Sequence, residues 1–197
     1  MRKRLRTLAP VAVSAALVVL LSGCVAQAGQ ASNGGPGYIT GDGTVSQWAK
    51  PTTAPVEFSG TTVERSAFSS KRYLGRIVVV NFWYAGCPPC RLEAPRLNRL
   101  ADRFRSAGVQ FIGVNIIDNA ATAASFERTY KSTYPSILDQ EGGASVQLAF
   151  AASRPPKAVP STLVLDRKGR VTSRVVGLLN ESVMKTLIQD AIDGNTA

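Results

Sequence analysis

Two cysteines separated by two prolines, Cys87-Pro88-Pro89-Cys90, are the residues of this chain whose spacing most directly implies chemistry. They follow Ile77-Val78-Val79-Val80-Asn81-Phe82-Trp83, a continuous β-favouring apolar run, and open a segment with helical periodicity. A cysteine at a helix start faces unpaired backbone N–H groups and the positive end of the helix dipole, and both favour thiolate over thiol. Cys87 is therefore read as the attacking nucleophile. Cys90, one turn into the helix and expected to be more covered, is read as the thiol that resolves a mixed disulfide and leaves a Cys87–Cys90 bond. Two other uses of such a pair compete with this one. A purely stabilising disulfide closing so short a loop would contribute only about 2 kcal/mol, against about 4.7 kcal/mol for a loop of one hundred residues. A closed zinc site needs four ligands, and the sequence contains no histidine. Thiol-disulfide exchange fits the pair best, with no metal and no cofactor expected.

The elements that must position this pair read as an α/β domain over residues 56–197. A strand that is apolar throughout is covered on both faces, which implies helices on each side of a sheet. A helix is predicted over 88–107, because Leu97, Leu100, Ala101 and Phe104 fall at helical spacing while Arg96, Arg99, Arg103 and Arg105 can stay in water. Gly108 marks its stop. A second strand follows over 109–117 and a second helix over 120–131, giving a βαβα unit. Ile137-Leu138 reads as a short strand and 143–150 as a short helix. Residues 162–165 and 171–176 form a hairpin around Asp166-Arg167-Lys168-Gly169. The last helix spans 182–192, with Val183, Leu187, Ala191 and Ile192 on one face. A further hairpin over 58–63 opens the domain.

The stretch Val79-Val80-Asn81-Phe82-Trp83, then Cys87-Pro88-Pro89-Cys90-Arg91-Leu92-Glu93-Ala94-Pro95, then Val159-Pro160-Ser161-Thr162, resembles the TlpA/ResA-like branch of the thioredoxin superfamily. The resemblance covers roughly residues 56–193. It implies a thioredoxin-like fold, a central mixed β-sheet flanked by helices on both faces. It also implies an extracytoplasmic, often membrane-anchored protein that reduces disulfides in apocytochrome c, with electrons from a CcdA/DsbD-type membrane protein. Pro160 matches the cis-proline of such proteins, which brings the Val159 backbone beside the cysteines, where an extended substrate can pair with it as a strand does. The plainer reading of Pro160 is a proline at a strand entrance. Pro88 and Pro89, between the sulfurs, join Val159 and Pro160 as expected substrate contacts. Glu93 matches a position that carries an acid near the active site in ResA-like proteins, and Cys90 must lose a proton before it attacks. The plainer reading of Glu93 is an acid complementing the helix dipole. Thioredoxin has a buried Asp where this chain has Asn81, and Pro95 matches a proline that kinks the active-site helix. Position 86 departs from the family, with Gly in place of the usual Trp. Tyr84 stands where a peroxiredoxin needs Thr or Ser.

The chain start supplies the location. Arg2, Lys3, Arg4 and Arg6 precede an apolar run over 8–21 that is short for a membrane span, the pattern of an export signal over 1–23. Leu21-Ser22-Gly23-Cys24 resembles the lipobox of bacterial lipoproteins, which implies that Cys24 is lipidated and becomes the first residue. An uncleaved anchor is the alternative. Either one places the domain on the extracytoplasmic face of the membrane. Residues 24–55, rich in Gly, Ala, Ser, Gln, Thr and Pro, read as a tether reaching on the order of 30 Å. Tyr38, Ile39, Val45 and Trp48 flank a Gly41-Asp42-Gly43 turn signal and could dock on the domain as a short hairpin. Removing the signal takes the charge from +10 to +6. That excess suits an anionic surface, and no nucleic-acid-binding pattern accompanies it. A general disulfide oxidase or isomerase, or a Cu(I) chaperone holding the metal between both thiolates, remains the rival function.

Overall fold

The computed structural model describes residues 43–48 and 54–195. The expected signal at 1–23, Cys24, Tyr38 and Ile39 lie outside the described residues. In chain order the strands are β1 (Thr44–Gln47), β2 (Ser59–Thr61), β3 (Ala67–Ser69), β4 (Val78–Trp83), β5 (Gln110–Asn115), β6 (Ser136–Leu138), β7 (Ser161–Leu165) and β8 (Val171–Val176). The helices are α1 (Pro88–Phe104), α2 (Ala120–Tyr130), α3 (Ser145–Ala151) and α4 (Glu181–Asp193).

All six residues of β4 are buried, as its unbroken apolar run requires. It pairs in parallel with β5, from Val78 opposite Gln110 to Trp83 opposite Asn115. A parallel neighbour needs a long crossover, and α1 supplies it. On its other side β4 runs antiparallel to β7, so the six-stranded sheet, ordered β1-β8-β7-β4-β5-β6, is mixed. The β7–β8 turn is closed by Asp166, whose Oδ1 accepts the N–H groups of Lys168 and Arg170 at 2.9 Å each. Side chains along β4 alternate between two cores. Val79 packs with Leu97, Leu100 and Phe104 of α1 and with Met184 and Ile188 of α4. Val78, Val80 and Phe82 pack on the opposite face beneath Phe58, Phe68 and the α3 residues Val146 and Phe150. The sheet is therefore flanked by helices on both faces, the thioredoxin-like arrangement.

The docking expected for Val45 and Trp48 within residues 24–55 takes the form of β1, which pairs antiparallel with β8, Thr44 opposite Val176. Three expectations are corrected. The first hairpin is β2–β3 and extends to Ser69, because its turn lies at 62–65, closed by Arg65 N–H on Thr62 C=O. α1 ends at Phe104 and not 107: the chain tightens there, with Ala107 N–H bonded to Phe104 C=O and Gly108 N–H to Arg105 C=O. In α4 the buried stripe is Met184, Leu187, Ile188 and Ala191, and Val183 is exposed because it lies one residue off that face.

Candidate active site

Cys87 caps α1. Its backbone is extended, and the next two residues, Pro88 and Pro89, begin the helix. Prolines suit this position because the first helical N–H groups have no intrahelical acceptor. With two of those donors removed, the first N–H of the helix belongs to Cys90, and it donates to Cys87 Sγ at 3.2 Å. The dipeptide thus leaves one backbone donor near the helix start and aims it at the nucleophile's sulfur. Arg91 N–H donates to Cys87 C=O, the first helical bond. The sulfurs are joined as a disulfide with Cα atoms 5.3 Å apart. Both cysteines are covered, at 0% and 1% exposure, so the expected difference in coverage is not present in this oxidised form. The two sulfurs share one cluster with Trp83, Ala94, Phe126 and Val159. What distinguishes them among the described residues is the hydrogen bond that Cys87 Sγ receives from Cys90 N–H.

The approach to Cys87 is pinned from two sides. Ala85 N–H donates to Asp118 Oδ2 at 2.6 Å, and Arg91 Nε donates to Ala85 C=O at 2.8 Å. Asp118 is held in turn by Asn115 Nδ2 at 2.7 Å. The sequence reading missed Asn115 and Asp118; an Asn at a strand end followed three residues later by Asp is the local signal that could have found them. Beside Gly86 stands the ring of Tyr84, whose Cε2 would lie 3.3 Å from a Cβ at that position. An aromatic ring is therefore present at this lip although Gly86 replaces the usual Trp.

Glu93 is 1% exposed, and the first turn of α1 contains no acid, so complementing the dipole is not its role. Its Oε1 accepts from Asn81 Nδ2 at 2.8 Å and its Oε2 from Leu179 N–H at 3.3 Å. Asn81 also donates to Thr162 Oγ1 at 3.1 Å, which fixes the amide between β4 and β7. Arg96, expected to point to water, is instead only partly exposed and donates to Leu179 C=O at 2.7 Å. Burial pushes the Glu93 carboxyl up to about 8, against the opposing effects of Asn81, Leu179 and Arg96. A group with that proton affinity can take up or release a proton near neutral pH. Glu93 lies three residues after Cys90, on the same helical face.

The Val159–Pro160 peptide bond is cis. Pro160 C=O accepts Gly177 N–H at 2.8 Å, and Val159 packs in the cysteine cluster. Cys87, Cys90, Glu93 and Val159 are thus gathered from α1 and the β7 entrance at one end of the sheet. No group of three or more His, Cys, Asp or Glu side chains arranged to hold a metal occurs among the described residues.

A sequence profile described as the AhpC/TSA family matches residues 51–174. The thiol-disulfide oxidoreductase ResA of Geobacillus thermodenitrificans is 27% identical over 68% of this chain and 72% of its own. The thiol:disulfide interchange protein HelX of Rhodobacter capsulatus is 33% identical over 61% of this chain and 63% of its own. Among solved structures, a thioredoxin-family thiol:disulfide interchange protein from Chlorobium tepidum superposes with a TM-score of 0.64. It is 28% identical and covers 73% of this chain and 98% of its own. The DsbF of Mycobacterium tuberculosis gives 0.60 at 26% identity, over 71% and 99%. This chain belongs to the AhpC/TSA family within the thioredoxin superfamily, and it is a thiol-disulfide oxidoreductase.

Proposed function

We propose that this protein reduces disulfides in apocytochrome c on the extracytoplasmic face of the membrane, anchored by a lipid on Cys24 and recharged by a CcdA/DsbD-type membrane donor. The observation that carries the reading is a cysteine pair at a helix start with a buried, protonatable carboxyl on the same helix. In the dithiol form the Cys87 thiolate attacks a client disulfide, held as an added strand against Val159 and Pro160 and touching the exposed Pro88, while Pro89, expected as a second contact, is buried. One client thiolate leaves, and a mixed disulfide forms on Cys87. Cys90 then gives its proton to Glu93 in the fraction of molecules where that carboxyl is ionised, and attacks Cys87 Sγ. The Cys87–Cys90 bond closes, the bond to the client breaks, and two electrons have passed to the client. Relatives named as a thiol-disulfide oxidoreductase and a thiol:disulfide interchange protein support exchange chemistry at this pair.

Deleting the gene tests it. Cytochromes carrying covalent haem should disappear, and a small thiol reductant in the medium should restore them. Unchanged cytochromes would contradict the proposal. Restoration by copper and not by the reductant would instead assign the two thiolates to Cu(I) delivery. Cys24→Ala should leave the membrane fraction, and a variant that stays there would remove the lipid anchor from the account.

A further inference from the structure

Each turnover in the reducing direction releases one proton from Cys90 into a closed interior. Cys90 and Glu93 are each 1% exposed, so a proton held on Glu93 needs a way out before the next cycle. A small cavity touches Cys90 and is bounded by Asn81, Trp83, Tyr134, Ser132 and Ser136. It has space for about one water molecule. Asn81, in its wall, is the residue that donates to Glu93. Ser132 and Tyr134 also line a larger surface cleft of about 430 Å³ that contains Glu127.

We propose that Glu127 is the outlet of a proton path that begins at Cys90 and Glu93, crosses the cavity beneath Trp83, and reaches solvent through the cleft past Tyr134 and Ser136. The path rests on the role given above to Glu93. Its parts are held in place from several elements. Trp83 Nε1 donates to Ser136 Oγ at 3.2 Å, which leaves the hydroxyl hydrogen free to point elsewhere. Gly113 makes room for this contact, since a Cβ there would stand 2.8 Å from Trp83 Nε1. Glu127 Oε1 is buried and accepts no hydrogen bond, an unused acceptor that a transiting proton can satisfy.

The groups facing Glu127 are Ser136 from β6, Glu64 from the β2–β3 turn, Tyr134 and Ser132 after α2, and Arg128 and Lys131 at the end of α2. Burial pushes the Glu127 carboxyl up to about 7, the Ser136 hydroxyl holds it back, and the Glu64 carboxylate adds to the rise. Tyr134 lies within electrostatic reach of both acids: burial raises its phenol, and Glu93 and then Glu127 raise it further. It therefore stays protonated and can donate and accept hydrogen bonds between them. Glu93, near 8, and Glu127, near 7, both exchange protons close to neutral pH, so transfer to Glu127 is slightly uphill and is drawn forward by loss of the proton from Glu127 to solvent.

The test follows the reduced full-length protein, purified in mild detergent, reacting with one equivalent of 5,5′-dithiobis(2-nitrobenzoate). The first coloured thiolate reports attack by Cys87, and the second reports resolution by Cys90. Glu127→Gln should leave the first phase unchanged and slow the second between about pH 7 and 8, where the wild-type carboxyl is ionised and can accept the proton. The expected slowing is about tenfold, less than the hundredfold or more a direct base contributes. Imidazole in the buffer should restore the second phase, Glu127→Asp should retain it, and the difference should vanish by about pH 9, where water-borne base takes over. Tyr134→Phe should show the same imidazole-sensitive slowing, and it carries the test if Glu127→Gln does not fold. A second phase that is unchanged, or slowed equally at every pH with no response to imidazole, overturns the path while Glu93→Gln still slows resolution. If Glu93→Gln leaves resolution untouched, it is the role of Glu93 that fails, and the path fails with it.

Discussion

Burying a carboxyl against two neutral N–H donors costs more than those bonds return, so Glu93 holds its proton up to about 8. The same shift acts on stability. In the unfolded chain the group titrates near 4.5, so between 4.5 and 8 the folded state binds more protons than the unfolded one. Its contribution is complete below 4.5, is lost as pH rises toward 8, and is flat beyond. Glu127 acts in the same direction up to about 7, less strongly because it is partly exposed. Denaturant midpoints of the oxidised protein should therefore fall between pH 5 and 8. Glu93→Gln should flatten most of that slope and be the more stable form at pH 8; an unaltered slope would show that Glu93 is not the titrating group. The cysteines and Glu93 were legible from the sequence because they are neighbours on one helix. The Asn81 and Leu179 partners of Glu93 were not, since they come from positions 12 before and 86 after it and meet only when β4, α1 and the β8–α4 loop pack.

Elements whose reason for existing is local were readable at this level. The apolar run of β4, the double proline opening α1, and the Asp-Arg-Lys-Gly turn before β8 each announce themselves within a few residues. Strand β1 does not. Thr-Val-Ser-Gln has no apolar run, is half to fully exposed, and becomes a strand only because the edge of β8 offers its backbone partners. Trp48, immediately after it, secures the attachment. Its N–H donates to Thr172 C=O at 3.0 Å, its side chain packs against the core beneath α3, and the Arg154 guanidinium lies 4.1 Å from its ring centroid. Trp48→Ala should lower the unfolding free energy by about 2 kcal/mol, below the 3–5 kcal/mol of a fully buried aromatic. Denaturant unfolding measures this loss, and reduction of insulin should proceed at the wild-type rate. A variant as stable as the parent would return β1 to the tether.

At the scale of the whole molecule, no helix among the described residues is long and apolar enough to cross a membrane. The proposed attachment point, Cys24, lies outside the described residues. The α/β architecture with helices on both faces was legible because fully apolar strands alternate with amphipathic helices along the chain. The cavity beside Cys90 was not, because its walls come from β4, α1, α2 and the β6 region, with no motif in any one of them. The central claim is that electrons pass to a client through Cys87 and that Cys90 completes the transfer. Covalent trapping tests it most directly: Cys90→Ser retains the nucleophile and the helix start but cannot resolve, whereas Cys87→Ser loses the capped sulfur. Membranes from cells expressing each variant, quenched with acid and separated without reductant, should show clients disulfide-linked to Cys87 in Cys90→Ser and almost none in Cys87→Ser. The trapped clients should include apocytochromes with a Cys-x-x-Cys-His haem site. Equal trapping by both variants, or none by either while the wild type remains active, would contradict the account.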